Sequence, residues 1–94
     1  MKIRVRDSFL KKLNRQVAYI AKDKPVAARN FKKRLLQHLN SLKDFPYKHR
    51  KSIYFEDEEI RDLIFERYTI VFQINKEEII VFGFVKDEEV LNKE

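Results

Sequence analysis

The chain opens with strict alternation. Ile3 and Val5 are apolar while Lys2, Arg4 and Arg6 are charged, which predicts a short strand over Lys2–Arg6 with one buried face. Asp7 and Ser8 follow, residues whose side-chain oxygens can accept from an unpaired backbone N–H and cap a helix. The apolar period then changes to three and four. Leu10, Leu13, Val17 and Ile20 form one stripe with Phe9 and Ala21 beside it, whereas Lys11, Lys12, Asn14, Arg15 and Gln16 take the wet side. This predicts a helix to about Lys22. Pro25 cannot continue that helix but suits the first turn of another. Ala28, Phe31, Leu35, Leu39 and Leu42, widened by Ala27 and Leu36, predict a second helix from Pro25 to about Asp44. Phe45-Pro46 ends it, because the residue before a proline is pushed out of the helical region. The link between the helices is two or three residues, so they should form an antiparallel hairpin.

The pattern changes again in the second half. Ile60–Phe65, Tyr68–Ile74 and Ile79–Val85 are short runs rich in Ile, Val, Phe, Tyr and Thr, broken by Glu66-Arg67 and by Asn75–Glu78. They read as a three-stranded antiparallel meander. In the middle run Tyr68, Ile70, Phe72 and Ile74 share one face. The last run is apolar on both faces and belongs inside the sheet. The order is therefore β-α-α-β-β-β, an α+β fold with the helical hairpin packed on one face of the sheet. Its other face would stay open, leaving either Ile80, Phe82 and Phe84 or Ile79, Val81 and Val85 to be covered by a partner. The stretch between Pro46 and Glu59 is irregular, basic at Lys48-His49-Arg50-Lys51 and acidic at Glu56–Glu59, with Ile53 and Phe55 placed to anchor its middle. The tail after Val85 is polar apart from Val90 and Leu91, and should fray or form a short helical turn.

Composition narrows the class. Ninety-four residues make one domain, able to bury about 60–65% of its unfolded surface. There is no cysteine, which excludes disulfides and thiolate metal sites. No signal-peptide core is present, and no apolar run approaches the roughly 20 residues of a membrane helix. A cytoplasmic protein without a membrane partner is the default. Charge is unevenly placed: residues 1–51 hold 16 Lys and Arg against three Asp, and residues 52–94 hold five against 12 Asp and Glu. Either the basic half meets an acidic partner, or the two halves neutralise each other on folding. No Gly-rich phosphate loop, metal-ligand spacing or Ser/His/Asp set is visible, so no metal or nucleotide cofactor is implied. His38, beside Leu35, Leu39 and Leu42, reads as a boundary histidine, and Lys32-Lys33-Arg34 as the wet face of a helix. Tyr68 should pack its ring on the core with its hydroxyl at the edge. Arg61 either makes a local ion pair, as with Glu66, or contacts a target.

FKKRLLQHLNSLKDFP, IRDLIFERYTIVFQI and IIVFGFV, taken with the order and spacing of the parts, resemble the RelE/ParE superfamily of type II toxin–antitoxin toxins. The similarity runs from about Lys2 to Val85. It includes the Phe45-Pro46 close of the last helix, the Arg that opens the next strand (Arg61) and the Tyr that opens the one after (Tyr68). The resemblance implies a small basic toxin neutralised by an antitoxin encoded beside it. Its target is either DNA gyrase, poisoned without hydrolytic chemistry as by ParE-like members, or the ribosome and its mRNA, cut as by RelE-like members. RelE-like toxins place an Arg after the Tyr of the third strand and another after the last strand. Here those positions hold Thr69 and the acidic tail, and the second helix is long, as in ParE. The reading therefore favours a ParE-like, non-enzymatic toxin. A metal-independent endoribonuclease using Arg61, His49 and Lys86 is the alternative, and a non-toxic protein- or RNA-binding module is the third. Target or nucleic-acid contacts are expected at Lys48, His49, Arg50, Lys51, Arg61, Arg67 and Tyr68. Antitoxin contacts are expected at Ile80, Phe82 and Phe84, and the chain could form a homodimer or a toxin–antitoxin hetero-oligomer.

Overall fold

A computed structural model of the chain describes residues 1–87. The elements run β1 (Lys2–Val5), α1 (Asp7–Ala21), α2 (Pro25–Asn40), β2 (Arg50–Lys51), β3 (Ile60–Phe65), β4 (Tyr68–Ile74) and β5 (Glu78–Lys86). The sheet has the order β1-β5-β4-β3-β2. β3, β4 and β5 form the expected antiparallel meander, and β5 lies inside the sheet. β1 joins β5 in parallel, so the sheet is mixed. The two-residue β2, which has no hydrophobic alternation to announce it, forms the far edge.

Neither Asp7 nor Ser8 caps α1. The chain passes from strand to helix through one residue, Arg6, which occupies the cap position without a side-chain bond. Arg6 donates its N–H to Val81 O at 2.9 Å and accepts Leu10 N–H at 3.1 Å, so it belongs to both elements. Asp7 instead sits in the first turn, where the helix dipole favours its charge. Pro25 opens α2 as expected. The α-helical part ends at Asn40, earlier than Asp44, and tightens into a 3-10 turn over Ser41–Lys43 that keeps Leu42 buried.

The core lies between hairpin and sheet. Phe9 and Leu13 of α1 and Phe31, Leu35 and Leu39 of α2, with Leu42, pack on Leu63, Phe65, Tyr68, Ile70, Phe72, Ile74, Ile79 and Val81. Three stripes read from periodicity therefore meet in one layer. Glu66 turns β3 into β4 at φ 54°, a left-handed position that suits Gly or Asn better than Glu, and Arg34 Nη2 holds its Oε2 at 2.6 Å.

Simple alternation fails in β5. Phe72 pairs with Val81 but Val71 pairs with Gly83, so Phe82 is an extra residue, a bulge. A Cβ on Gly83 would stand 2.8 Å from Val71 Cβ, which explains why the only glycine lies there. The bulge resets the parity of the strand. Ile79, Val81 and Phe84 face the helices, while Ile80, Phe82 and Val85 face the other way. Neither trio expected from alternation survives intact, and Phe84, partly buried, meets Phe9 edge-on instead of lying on the open face.

Candidate functional site

The irregular stretch between α2 and β3 wraps the β3 edge of the sheet from one face to the other. Two consecutive strand residues hold it, and because side chains alternate across a strand they hold opposite sides. Arg61 points to the helix side. Its Nε donates to Glu58 O at 2.9 Å, and its Nη1 donates to His49 O at 3.0 Å and Tyr47 O at 3.2 Å, with the guanidinium 4.9 Å from the centre of the Tyr47 ring. Asp62 points to the opposite side, and its side chain is 0% exposed. Its Oδ2 accepts Ile53 N–H at 3.1 Å and Arg50 Nη2 at 3.2 Å, while its buried Oδ1 has no partner among the described residues. Past Asp62 the loop lays Phe55 edge-on against Phe82, ring centres 5.6 Å apart. The face expected to stay open is thus covered at its centre by the chain's own residues 52–55. Val71 and Ile80 are buried there.

His49 and Tyr47 complete this edge. The His49 ring meets Phe72 edge-on at 5.6 Å, and burial, aided by the charge of Lys48, lowers its pKa. Tyr47 donates its hydroxyl to Glu59, and that bond to a carboxylate raises the Tyr47 pKa. Lys51 faces Glu58 at 3.6 Å in solvent.

A second region lies on the seam between α1 and the end of β5. Lys12, Arg15 and Gln16 line a cleft with Phe84 and Lys86, and Lys86 Nζ stands 5.9 Å from the Tyr19 ring centre. Phe84 forms its floor, stacked on Tyr68 at 5.0 Å, and Tyr68 in turn packs on Phe31. The cleft is basic with an aromatic base. A separate groove beside β1 is lined by Arg6, Ser8, Gln73, Ile80 and Phe82.

The expected site residues therefore separate. Lys48, His49, Arg50, Lys51 and Arg61 gather at the β2–β3 edge. Tyr68 is buried, with Arg67 beside it in the β3–β4 turn and Lys86 paired across from it. His49 and Arg61 are neighbours, but Lys86 lies about 13 Å further along the sheet, four β4 residues from the Arg61 partner Phe72. Arg61 pairs with neither Glu66 nor an acid next to Asp62. Ile80 and Phe82 border the groove beside β1, whereas Phe84 serves the α1 seam. Sequence reasoning missed Lys12, Arg15 and Gln16, whose signal was their flank position beside the Leu13–Val17 stripe. It also missed Asp62, an acid within an apolar run. Among the described residues no group of three His, Cys, Asp or Glu could hold a metal ion. No helix among them is long and apolar enough to cross a membrane.

The order of strand, helical hairpin and meander is the α+β architecture expected from the resemblance to type II toxin–antitoxin toxins. Residues 3–90 match the family described as the ParE toxin of the type II toxin–antitoxin system parDE, and the chain belongs to that family. A structure described as the chromosomal ParDE TA system from P. aeruginosa has the same fold, with a TM-score of 0.76 at 13% identity, over 92% of this chain and 95% of that one. Comparison with curated proteins gives no significant match.

Proposed function

We propose that this chain is a single-domain cytoplasmic toxin that stops growth by binding an essential protein, DNA gyrase by family analogy, without chemistry of its own. The observation that supports this reading is the use of Arg61. Two of its nitrogens already donate to three backbone carbonyls, so the best phosphate-binding candidate serves to hold the chain together. Its distance from Lys86 disperses the set that RNA cleavage would need. A cognate antitoxin neutralises the toxin. Its binding segment is acidic and amphipathic, because the α1 seam offers Lys12, Arg15 and Lys86 around the Phe84 ring. Ile80 and Phe82, beside Arg6, extend the same surface round β5.

Induced expression should arrest growth, and co-expression of the adjacent small gene should restore it. Purified chain should inhibit gyrase supercoiling while translating ribosomes leave their message uncut. Lys12→Glu with Arg15→Glu should keep the arrest and lose the rescue, since both side chains are exposed and outside the core. Cleaved message with normal supercoiling would replace this reading by the nuclease, and absence of arrest would replace it by a non-toxic binding module.

A further inference from the structure

The outward side of the helical hairpin carries charge of one sign. Residues 7–40 hold nine Lys and Arg against two Asp, a balance of +7 in a chain whose net charge is +6. Helical periodicity sorts these cations in space. On α1, Lys11, Arg15 and Lys22 recur at spacings of four and seven, opposite the buried Phe9 and Leu13. On α2, Arg29 and Lys33 stand one turn apart, on the side away from Phe31 and Leu35. Lys32 lies between the helices, its Nζ donating to Asn14 Oδ1 at 2.9 Å, so the two ridges run side by side and face the same way.

The fold makes no use of these charges. Lys11, Arg15, Lys22, Arg29 and Lys33 are exposed and take part in no ion pair among the described residues. Lys11–Arg15 and Arg29–Lys33 are like-charge neighbours at i,i+4, an arrangement that destabilises a helix. The first turn of α2 holds no acid, although the helix dipole favours one there. An ordinary wet face intersperses both signs. This one sets cation beside cation, a repulsion that an external polyanion relieves.

The form of the surface says which polyanion. A helix lying on a membrane needs an apolar face to insert, and the apolar stripes of α1 and α2 are already buried in the core. An acidic peptide needs apolar anchors in a groove, and α2 exposes only Val26 and Leu36 as large apolar side chains. Single strands stack on aromatic rings, but Tyr19, the exposed ring of the hairpin, lies at the seam, its centre 5.9 Å from Lys86 Nζ. Duplex RNA is gripped over about 16 base pairs, far more than this surface spans. Duplex DNA needs only cations set along its phosphates. At a rise of about 1.5 Å per residue, Lys11 to Lys22 covers about 16 Å. One DNA strand presents about five phosphates over that length.

We propose that the outer face of the α1–α2 hairpin binds the phosphate backbone of duplex DNA, without reading sequence, through Lys11, Arg15, Lys22, Arg29 and Lys33. This contact goes beyond the toxin reading and needs only the purified chain. Of the five cations, Arg15 alone also lines the seam cleft.

Fluorescence anisotropy with a labelled DNA duplex of about 20 base pairs tests it. The wild-type chain should bind with a Kd of about 1–100 μM near physiological salt, and log K should fall against log salt with a slope of about −3 to −5. Arg29→Gln with Lys33→Gln should weaken binding about tenfold and reduce the slope by about 2. Lys2→Gln with Lys76→Gln removes the same charge outside the hairpin and should change affinity less than about twofold. All four side chains are exposed, so the circular dichroism spectrum should stay unchanged in both variants. Absence of binding, a slope near zero, or equal weakening by the two double variants would each overturn the proposal. Tighter binding of a single strand or of duplex RNA, or displacement of the duplex by poly-glutamate at equal charge, would do the same.

Discussion

Arg61 and Asp62 differ in what they hold and should differ in what their loss does. Asp62 fastens residues 50–53 across the sheet through one oxygen, which accepts a backbone N–H and a half-exposed guanidinium. Asp62→Ala leaves the Ile53 N–H unpaired and a small void above Val71, at a cost of about 1–3 kcal/mol. Arg50 can turn to water, so the loss stays below that of breaking a fully buried ion pair. Urea unfolding should show this decrease, and hydrogen exchange should rise at Ile53 while the turn at 46–49 stays protected. Arg61→Met should do the reverse, exposing the 46–49 turn and sparing Ile53. If both substitutions loosened both segments equally, the wrap would be one unit and not two separately fastened halves. Gly83 shows the same dependence on a single atom, because a methyl group there would overlap Val71 and push β5 from β4.

At the scale of elements, the wrap owes much of its seat on the helix side to His49 on Phe72. Its pKa is lowered by burial and by Lys48, so the native chain binds a proton less readily than the unfolded one. Stability from this group is then full above the ordinary histidine value, near 6.5, and is lost as pH falls toward the lowered native value. Melting followed from pH 7.5 to 5 should show a decline that His49→Gln removes, before carboxylates begin to titrate. The helices and the meander were legible because each repeats a period over several turns or residues: Leu13, Phe31, Leu35 and Phe72 lie where their spacing put them. What was illegible depends on partners far along the chain. The parallel seat of β1 on β5 leaves no mark in its alternation. The cover over Ile80 and Val71 depends on Asp62 receiving Ile53, nine residues earlier. The bulge did leave a trace, the lone Gly83, but a glycine in a strand does not say which neighbour crowds it. The candidate site suffered most for this reason. Phe84 changed face with the bulge, and the cations on α1 became a cleft only when β5 ended beside them.

The whole molecule answers part of the question raised by its uneven charge. Arg4–Glu78, Arg34–Glu66, Arg50–Asp62 and Lys51–Glu58 each join a cation from residues 1–51 to an acid from residues 52–94. The halves do neutralise each other, yet most first-half cations remain outside ion pairs among the described residues. Three of the four pairs are solvated on both sides and contribute at most about 1 kcal/mol each, so the excess does little for the fold. A surplus of one sign on a small body acts instead on encounter, raising the association rate of an oppositely charged partner. Salt separates the two roles. At an ionic strength of 0.1 M screening extends over about 10 Å, and more salt shortens it. Stopped-flow association with the acidic antitoxin proposed above should therefore slow steeply as salt is added, while urea stability of the free chain changes little over the same range. Lys12→Gln with Arg15→Gln should flatten the salt dependence of the rate without altering that stability. If stability and association rate instead fell together, the cations would be holding the two halves of the chain together, and the basic surface would have no separate partner to attract.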